Sequence, residues 1–189
     1  MDELWQLYDE QGRALAGKGN VKADVFGQGL LHGAAHVWIW RVQDGAVEVL
    51  LQKRAAHKPT WPNCYDISAA GHIDLGEEPI TAALREAKEE ISLAVAEPQL
   101  KLIAVHRAYL IAPNKAIENE FQWLYTLQLA EDTNFTLQTS EVDSLVWVPI
   151  GQFKTYYNSD QYVPHGKLYY ETVISAIESA VSPSGNPKQ

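Results

Sequence analysis

Three glutamates, Glu86, Glu89 and Glu90, follow Arg85 in a stretch whose apolar residues recur at helical spacing. At i, i+3 and i+4 their carboxylates leave one sector of a helix, where like charges repel by roughly 0.2–0.5 kcal/mol per pair. A hard divalent cation such as Mg²⁺ resolves that repulsion, since it takes oxygen ligands and shares them with substrate phosphates. A solvated helix face is the plain alternative for the triplet alone. Between Asp74 and Glu90, six carboxylates stand against Arg85 and Lys88, which concentrates nearly half of the net charge of −9 in one short segment. Glu118 and Glu120 enter an apolar strand, where Glu120 first and Glu118 second would be a metal ligand or the general base, or the pair is a polar strand start. Lys53, Arg54 and Lys58 suit a diphosphate through charge-assisted hydrogen bonds, and equally suit the solvated ends of a strand and loop. His32 and His72 are ligands if their neighbours support them and structural histidines otherwise.

The elements that must position these groups follow from pattern. Ile80, Ala83, Leu84, Ala87 and Ile91 form one apolar stripe, which predicts a helix over 79–91 with Pro79 at its first position and the glutamates turned away from the stripe. Asp44-Gly45 joins strand-like segments at 36–42 and 47–53 in a hairpin. A second hairpin, 4–8 with 13–16, opens the chain, and a Gly-rich connector over 17–30 leads into the body. Further strands are expected at 65–73, 100–110, 120–129 and 145–148, and helices at 150–156 and 167–181. The last helix should bury Leu168, Thr172, Ile174, Ile177 and Val181. The organisation expected is a hairpin and connector at 1–30 packed on a main domain at 31–182, with a flexible tail at 183–189. Strands flanking a central helix, with another helix at the end, indicate an α+β fold, an α/β/α sandwich.

Composition bounds the rest. The chain has 189 residues, 46% of them hydrophobic and 21% charged, which is enough for a real core and unlike a disordered chain. No apolar run approaches the ~20 residues a bilayer requires. The acidic balance speaks against general nucleic-acid binding. A single cysteine, Cys64, excludes an intramolecular disulfide and a cysteine-rich zinc site. The acidic, aromatic start is unlike a signal peptide, so cytoplasmic residence is the expectation.

Residues 71–93 resemble the Nudix box, G-x5-E-x7-R-E-U-x-E-E-x-G-U, where U is a bulky aliphatic. Gly71, Glu77, Arg85, Glu86, Glu89, Glu90 and Leu93 match at the required spacing. Ala87 is small for a U position, and Ser92 replaces the glycine at the helix end, where serine tolerates a left-handed conformation poorly. The resemblance implies a Nudix fold and Mg²⁺- or Mn²⁺-dependent hydrolysis of a diphosphate linked to some group X. It also implies that Glu86, Glu89, Glu90 and the Gly71 carbonyl hold metal, and Glu120 is expected to join them from its strand. Glu89, Glu120 and Arg85 would then serve catalysis, with Arg85 orienting the carboxylates and Glu77 bracing the helix.

The likeness extends further. Leu31-His32, Gln52-Lys53-Arg54 to Lys58-x-x-Trp61-Pro62, Gly71-His72 and Glu118-Asn119-Glu120 are similar to the layout of isopentenyl-diphosphate isomerases, where the counterparts of His32, His72, Glu118 and Glu120 lie at the metal and the chemistry. Those enzymes place a proton-transferring cysteine directly before the Gly-His pair, where this chain has Ala70. A second metal histidine expected before His32 is replaced by Val25 and Phe26. The departures remove isomerase parts and keep hydrolase parts. The expectation is therefore an isomerase-like but hydrolytic member acting on a small diphosphate. The rivals are isopentenyl-diphosphate isomerisation and a non-catalytic diphosphate-binding module.

Overall fold

The computed structural model describes residues 3–130 and 133–181; the expected tail at 183–189 lies outside them. The opening hairpin is present as β1 (Leu4–Tyr8) and β2 (Ala14–Val21). The segment expected to be a connector instead continues β2 to Val21 and then forms α1 (Lys22–Gln28). Seven residues with one buried side chain, Val25, carry no readable period, so the pattern could not reveal this helix. Gly19 keeps the hairpin flush with its neighbours, because an added Cβ would sit 3.0 Å from the Trp5 carbonyl oxygen.

β3 (His32–Gln43) is the spine of the molecule, with every residue from His32 to Trp40 buried. Along one side it pairs in parallel with β8 (Ile117–Gln128), and β7 (Lys101–Ile111) pairs with β8 beyond it. On its other side the partner changes along the strand. Leu7 of β1 meets His32, β6 (Ala69–His72) covers 34–37, and β4 (Ala46–Arg54) covers 40–43. The β3–β4 turn, Asp44-Gly45, has positive φ at both residues, 49° and 76°, the geometry that matches a twisted hairpin.

The single strand expected over 65–73 is divided into β5 (Tyr65–Asp66), which pairs with β4, and β6. Ser68 sits at the division. Its Oγ donates to the Leu50 carbonyl at 2.6 Å and accepts from the Ile39 amide at 2.8 Å, bridging the two strands where the chain crosses between them. β9 (Val142–Pro149) completes the sheet on β4.

Helices cover both faces. α2 (Pro79–Ile91) packs Ala83, Ala87 and Ile91 against Val37, Ile39 and Leu50. On the other face α3 (Ile150–Tyr156) and α4 (Lys167–Val181) enclose Trp38 and Leu51 with Phe153, Tyr169 and Val173. Alternate residues of β3 feed the two cores, so the fold is the expected α/β/α sandwich on a mixed sheet. The buried stripe of α4 differs from expectation. Leu168 and Val181 are exposed, while Tyr169, Tyr170, Val173, Ile174 and Ile177 are buried. The i, i+3, i+4, i+7 series begins at Tyr170, and a stripe that rests on two tyrosines is hidden to a reading based on aliphatic residues. Among the described residues, no helix is long and apolar enough to cross a membrane.

Candidate active site

The site forms around one edge of β6. Among the described residues that strand pairs with β3 alone, so the backbone groups of its other edge need partners. α2 supplies them. The Ala70 amide donates to Glu90 Oε2 at 3.0 Å, and Arg85 Nη2 donates to the His72 carbonyl at 2.9 Å. The two side chains thus stand in for a neighbouring strand. For the same reason Glu90 does not point away from the apolar stripe, as the spacing suggested, but is buried with it.

Arg85 is held on all sides. Its Nε and Nη2 donate to the two oxygens of Glu77 at 3.0 and 2.9 Å, and Nη1 reaches Glu86 at 2.5 Å and Glu89 at 3.4 Å. Glu77 also accepts from the Asp74 amide at 3.0 Å, so it fixes both Arg85 and the approach to the helix. Burial raises the Glu77 carboxyl, but Arg85 and that amide together bring it below its ordinary range. Gly71 permits Glu86 to lie against the strand, since a Cβ there would fall 2.0 Å from the carboxylate carbon. Burial pushes the Glu90 carboxyl up to about 8 and raises that of Glu86 as well. Glu89 is the exposed member of the three.

A second cluster lies on the α4 face of the sheet. In register, His32 of β3 faces Glu120 of β8, and His72 of β6 faces Ala34 of β3, which puts all three side chains on one side. Glu120 Oε1 is 3.2 Å from His32 Nε2 and 3.3 Å from His72 Nε2, and Gln122 Nε2 donates to Oε2 at 2.9 Å. Their ligand atoms lie within 4.8 Å of one another. His32 Nδ1 is 2.8 Å from the Leu30 carbonyl, which can accept only, so Nδ1 carries a hydrogen. Nε2 is the ring nitrogen left facing the Glu120 carboxylate. Burial would raise Glu120, yet the two imidazoles hold it well below the ordinary carboxylate range. Burial lowers His72 to about 4 despite Glu120 beside it, which leaves a neutral ring able to ligate.

The N-terminal elements close this end. The Trp5 ring stacks on His72 with centroids 3.6 Å apart and on His32 at 5.5 Å, and Phe26 meets His72 edge-on at 5.7 Å. Lys22 Nζ lies 5.6 Å from the Trp5 ring. The cavity encloses about 300 Å³, bounded by these rings, the α2 carboxylates, Glu118 and Glu120, the loop after β4, and the segment before α4. Burial, then repulsion from Glu120, pushes Glu118 up to about 7.

The three expected substrate-binding cations fare differently. Arg54 and Lys58 line the cavity, whereas Lys53 is not among its lining residues. The strand period explains this: Gln52 and Arg54 face inward and Lys53 turns to the other face. Arg54 donates to the Thr60 and Trp61 carbonyls and pairs with Asp66 at 3.0 Å, so it shapes the loop. Lys58 pairs with Glu141, and burial, aided by Arg54, lowers its ammonium to about 8. Sequence reasoning missed Trp5, Phe26, Asp66 and His165 as wall residues. These come together through tertiary contacts with no local spacing.

With the sheet, the helix and the cavity in place, residues 30–169 match the family model of the NUDIX domain, and the chain belongs to that family. It is 31% identical over 160 residues to "Nudix hydrolase 3" of Arabidopsis thaliana, covering 78% of this chain but 20% of that protein. It is 28% identical over 204 residues to an uncharacterised Nudix hydrolase of Clostridium acetobutylicum, covering 93% and 97%. It is also 29% identical over 179 residues to "Isopentenyl-diphosphate Delta-isomerase 2" of Photorhabdus laumondii, covering 94% and 93%. The fold is similar to the NUDIX domain of Shewanella oneidensis NrtR solved with ADP ribose, with a TM-score of 0.59, 14% identity and coverage of 93% and 94%.

Proposed function

We propose that this protein is a metal-dependent pyrophosphohydrolase that cleaves a diphosphate linkage in a small metabolite, a nucleoside or cofactor diphosphate joined to a group X. One observation carries the reading. Glu86, Glu89, Glu90, Arg85 and Glu120 line a single cavity that Arg54 and Lys58 also line.

The donor chemistry fits a divalent cation. Glu86, Glu89, Glu90 and the Gly71 carbonyl would hold Mg²⁺ or Mn²⁺ through hard oxygens. Glu120 with His32 and His72 offers a mixed nitrogen and oxygen set that suits Mn²⁺ better than Mg²⁺. When bound, the metal would neutralise diphosphate charge and lower the pKa of the attacking water. The chain's own groups do the rest. Arg85 keeps Glu86 and Glu89 oriented, and Lys58 and Arg54 bring cationic groups to the same cavity. The water oxygen bonds to one phosphorus, the bridging P–O bond breaks, and the proton released passes to a carboxylate. Glu89 takes that proton in this reading, as the most exposed of the three and less tightly held by Arg85 than Glu86 is. Glu120 has both oxygens engaged, one by His32 and His72 and the other by Gln122, and serves as a ligand.

A second reading, isopentenyl-diphosphate isomerisation, is favoured by the His32–His72–Glu120 cluster. It is opposed by Ala70, which lines the cavity with no titratable atom. Phosphate release over a panel of diphosphate metabolites, with Mg²⁺ and with Mn²⁺, tests the proposal. Turnover of at least one member, lost in Glu90→Gln, is the expected result. Release from none, or equal release by the variant, overturns it.

A further inference from the structure

β7 ends the sheet on the side away from β9 and, among the described residues, pairs with β8 alone. The outward backbone groups of that edge can be assigned. The Ala112 amide donates to the Ala116 carbonyl at 2.9 Å, in the same register as the strand pairs. The residues of β7 that bond to β8 are therefore those in step with Ala112, namely His106, Ala108 and Leu110. Val105, Arg107, Tyr109 and Ile111 alternate with them and turn their amides and carbonyls outward. No backbone partner meets those groups among the described residues.

The side chains of this strand are also left open. Of the nine large apolar side chains exposed among the described residues, four belong to β7: Leu102, Val105, Tyr109 and Ile111, at 48–62% exposure. In register they face Tyr125, Trp123, Asn119 and Ile117 of β8, so all four stand on the α2 face. The bulge between Leu102 and Ala104 resets the alternation and keeps Leu102 in that row. α2 packs on β3 and β6, and α4 reaches β7 from the other face, so neither helix covers the row. Arg107 stands within it, 5.3 Å over the Phe121 ring and 3.9 Å from Glu10. Such an edge is a template for another strand, and the bulge leaves 104–111 in unbroken register.

We propose that β7 is the contact between two copies of this chain, which pair β7 with β7 antiparallel across a two-fold axis at Ala108 and continue one sheet through both. The residues select the register. An axis at Arg107 sets two guanidiniums face to face, and an axis at His106 or Tyr109 sets Val105 or Ile111 against Arg107. The axis at Ala108 sets Arg107 against Tyr109 of the second copy and Val105 against Ile111 of the second copy. Each of these pairs has outward backbone groups on both sides and exchanges both bonds. Ala108 is small enough for the close approach, about 4.5 Å between Cα atoms, of the non-bonded pair on the axis. β7 carries no carboxylate, so two acidic chains meet here without opposed acidic groups. Two rows of several hundred Å², with the paired backbone, bury about 1,200 Å², the lower range of specific interfaces. The sequence outside the described residues, 1–2, 131–132 and 182–189, has Met1 as its one large apolar side chain, too little to cover the row.

Sedimentation of the wild-type protein should show twice the chain mass at about 50 µM and reversible dissociation on dilution through the micromolar range. Val105→Lys and Ile111→Glu should each weaken association at least about 10-fold, because each sets a charge against an apolar side chain in both symmetry-related pairs. Combined in one chain, they set opposite charges across both pairs and should associate at least about threefold more tightly than either alone. Hydrogen exchange of the wild type gives a readout without substitution. The amides of Val105, Arg107, Tyr109 and Ile111 should slow as concentration rises, while those of His106, Ala108 and Leu110 change little. That pattern decides the matter if a variant fails to fold. A monomer at about 50 µM overturns the proposal and leaves the row to a different protein. A dimer that both single variants keep, or a double variant no better than the singles, overturns it too. So does an open-ended series of larger species, since a two-fold contact closes at the dimer.

Discussion

Two walls meet at the edge of β6, and they are built in opposite ways. The α2 wall comes from thirteen consecutive residues, with Glu86 and Glu89 tied to Arg85 and Glu90 held by the Ala70 amide. The histidine wall is assembled from three strands far apart in sequence, and Trp5 and Phe26 of the N-terminal elements cover it. The first offers oxygen alone; the second offers two imidazole nitrogens and one carboxylate. The α2 wall persists wherever its helix docks, while the histidine wall depends on the whole sheet and on the first 28 residues being in place. Chemistry confined to one wall and chemistry that needs both can therefore be separated by substitution.

The largest effect is expected at Glu90. Glu90→Gln should lower turnover by about 10³-fold or more, beyond the 10- to 100-fold that outer-shell partners of metal ligands command. Stability should move the other way. Burial raises this carboxyl from 4.5 to about 8 in the fold, so the folded state prefers it neutral. The metal-free wild type then loses stability as pH rises from about 4.5 through about 8, because the unfolded chain releases this proton first. The variant lacks that loss. Thermal melts in chelator at pH 5 and pH 8 should show Glu90→Gln gaining on the wild type as pH rises. A constant difference would show that Glu90 is not the buried carboxyl of the α2 wall.

Isomerisation probes the histidine wall without the hydrolytic reaction. Moving a double bond requires a proton delivered to one carbon and another removed elsewhere, hence two placed acid–base groups. Ala70 supplies none, and losing such a group costs ~10²–10⁴-fold. Wild-type protein in heavy water should incorporate no measurable deuterium into isopentenyl diphosphate. Efficient uptake would mean that the histidine wall acts by itself and that the α2 carboxylates are bystanders.

Glu120 tests whether the walls cooperate. Glu120→Gln removes the charge shared by His32 and His72 and should lower kcat by about 10²-fold with a much smaller change in KM. Glu118→Gln should do less, since Glu118 belongs to neither bonded set. Equal, small effects from both would sever the histidine wall from hydrolysis.

What the sequence made legible follows the same division. α2 is readable to the residue because its period, Pro79 and its carboxylates all lie in one stretch. The α/β/α order follows from strand and helix patterns of ordinary length. The inward turn of Glu90 was not readable, since it answers an unpaired backbone amide on a different element. Neither was α1, too short to show a period, nor the pairing of His165 with Asp66, 99 residues apart. Lys53 was grouped with Arg54 and Lys58 by charge, but alternation along β4 divides them. Motifs report what one element carries; the histidine wall exists only once strands are in register.

The smallest effect is expected at the end of α2. Ser92 takes the left-handed conformation, φ 55° and ψ 31°, that glycine would hold at no steric cost. Its amide and that of Leu93 both donate to the Ala87 carbonyl, the latter at 2.9 Å, and Leu93 packs into the core beyond. The serine therefore bears a backbone penalty of about 1 kcal/mol, partly offset because glycine loses more entropy on folding. Ser92→Gly should raise the melting temperature by about 1–3 °C for a chain of this size. Activity should not change, because the α2 carboxylates are positioned by Arg85 and by the β6 edge and not by the helix terminus. A gain in stability accompanied by altered kcat would mean that the terminus sets the carboxylate geometry after all. The α2 wall would then depend on tertiary detail as much as the histidine wall does.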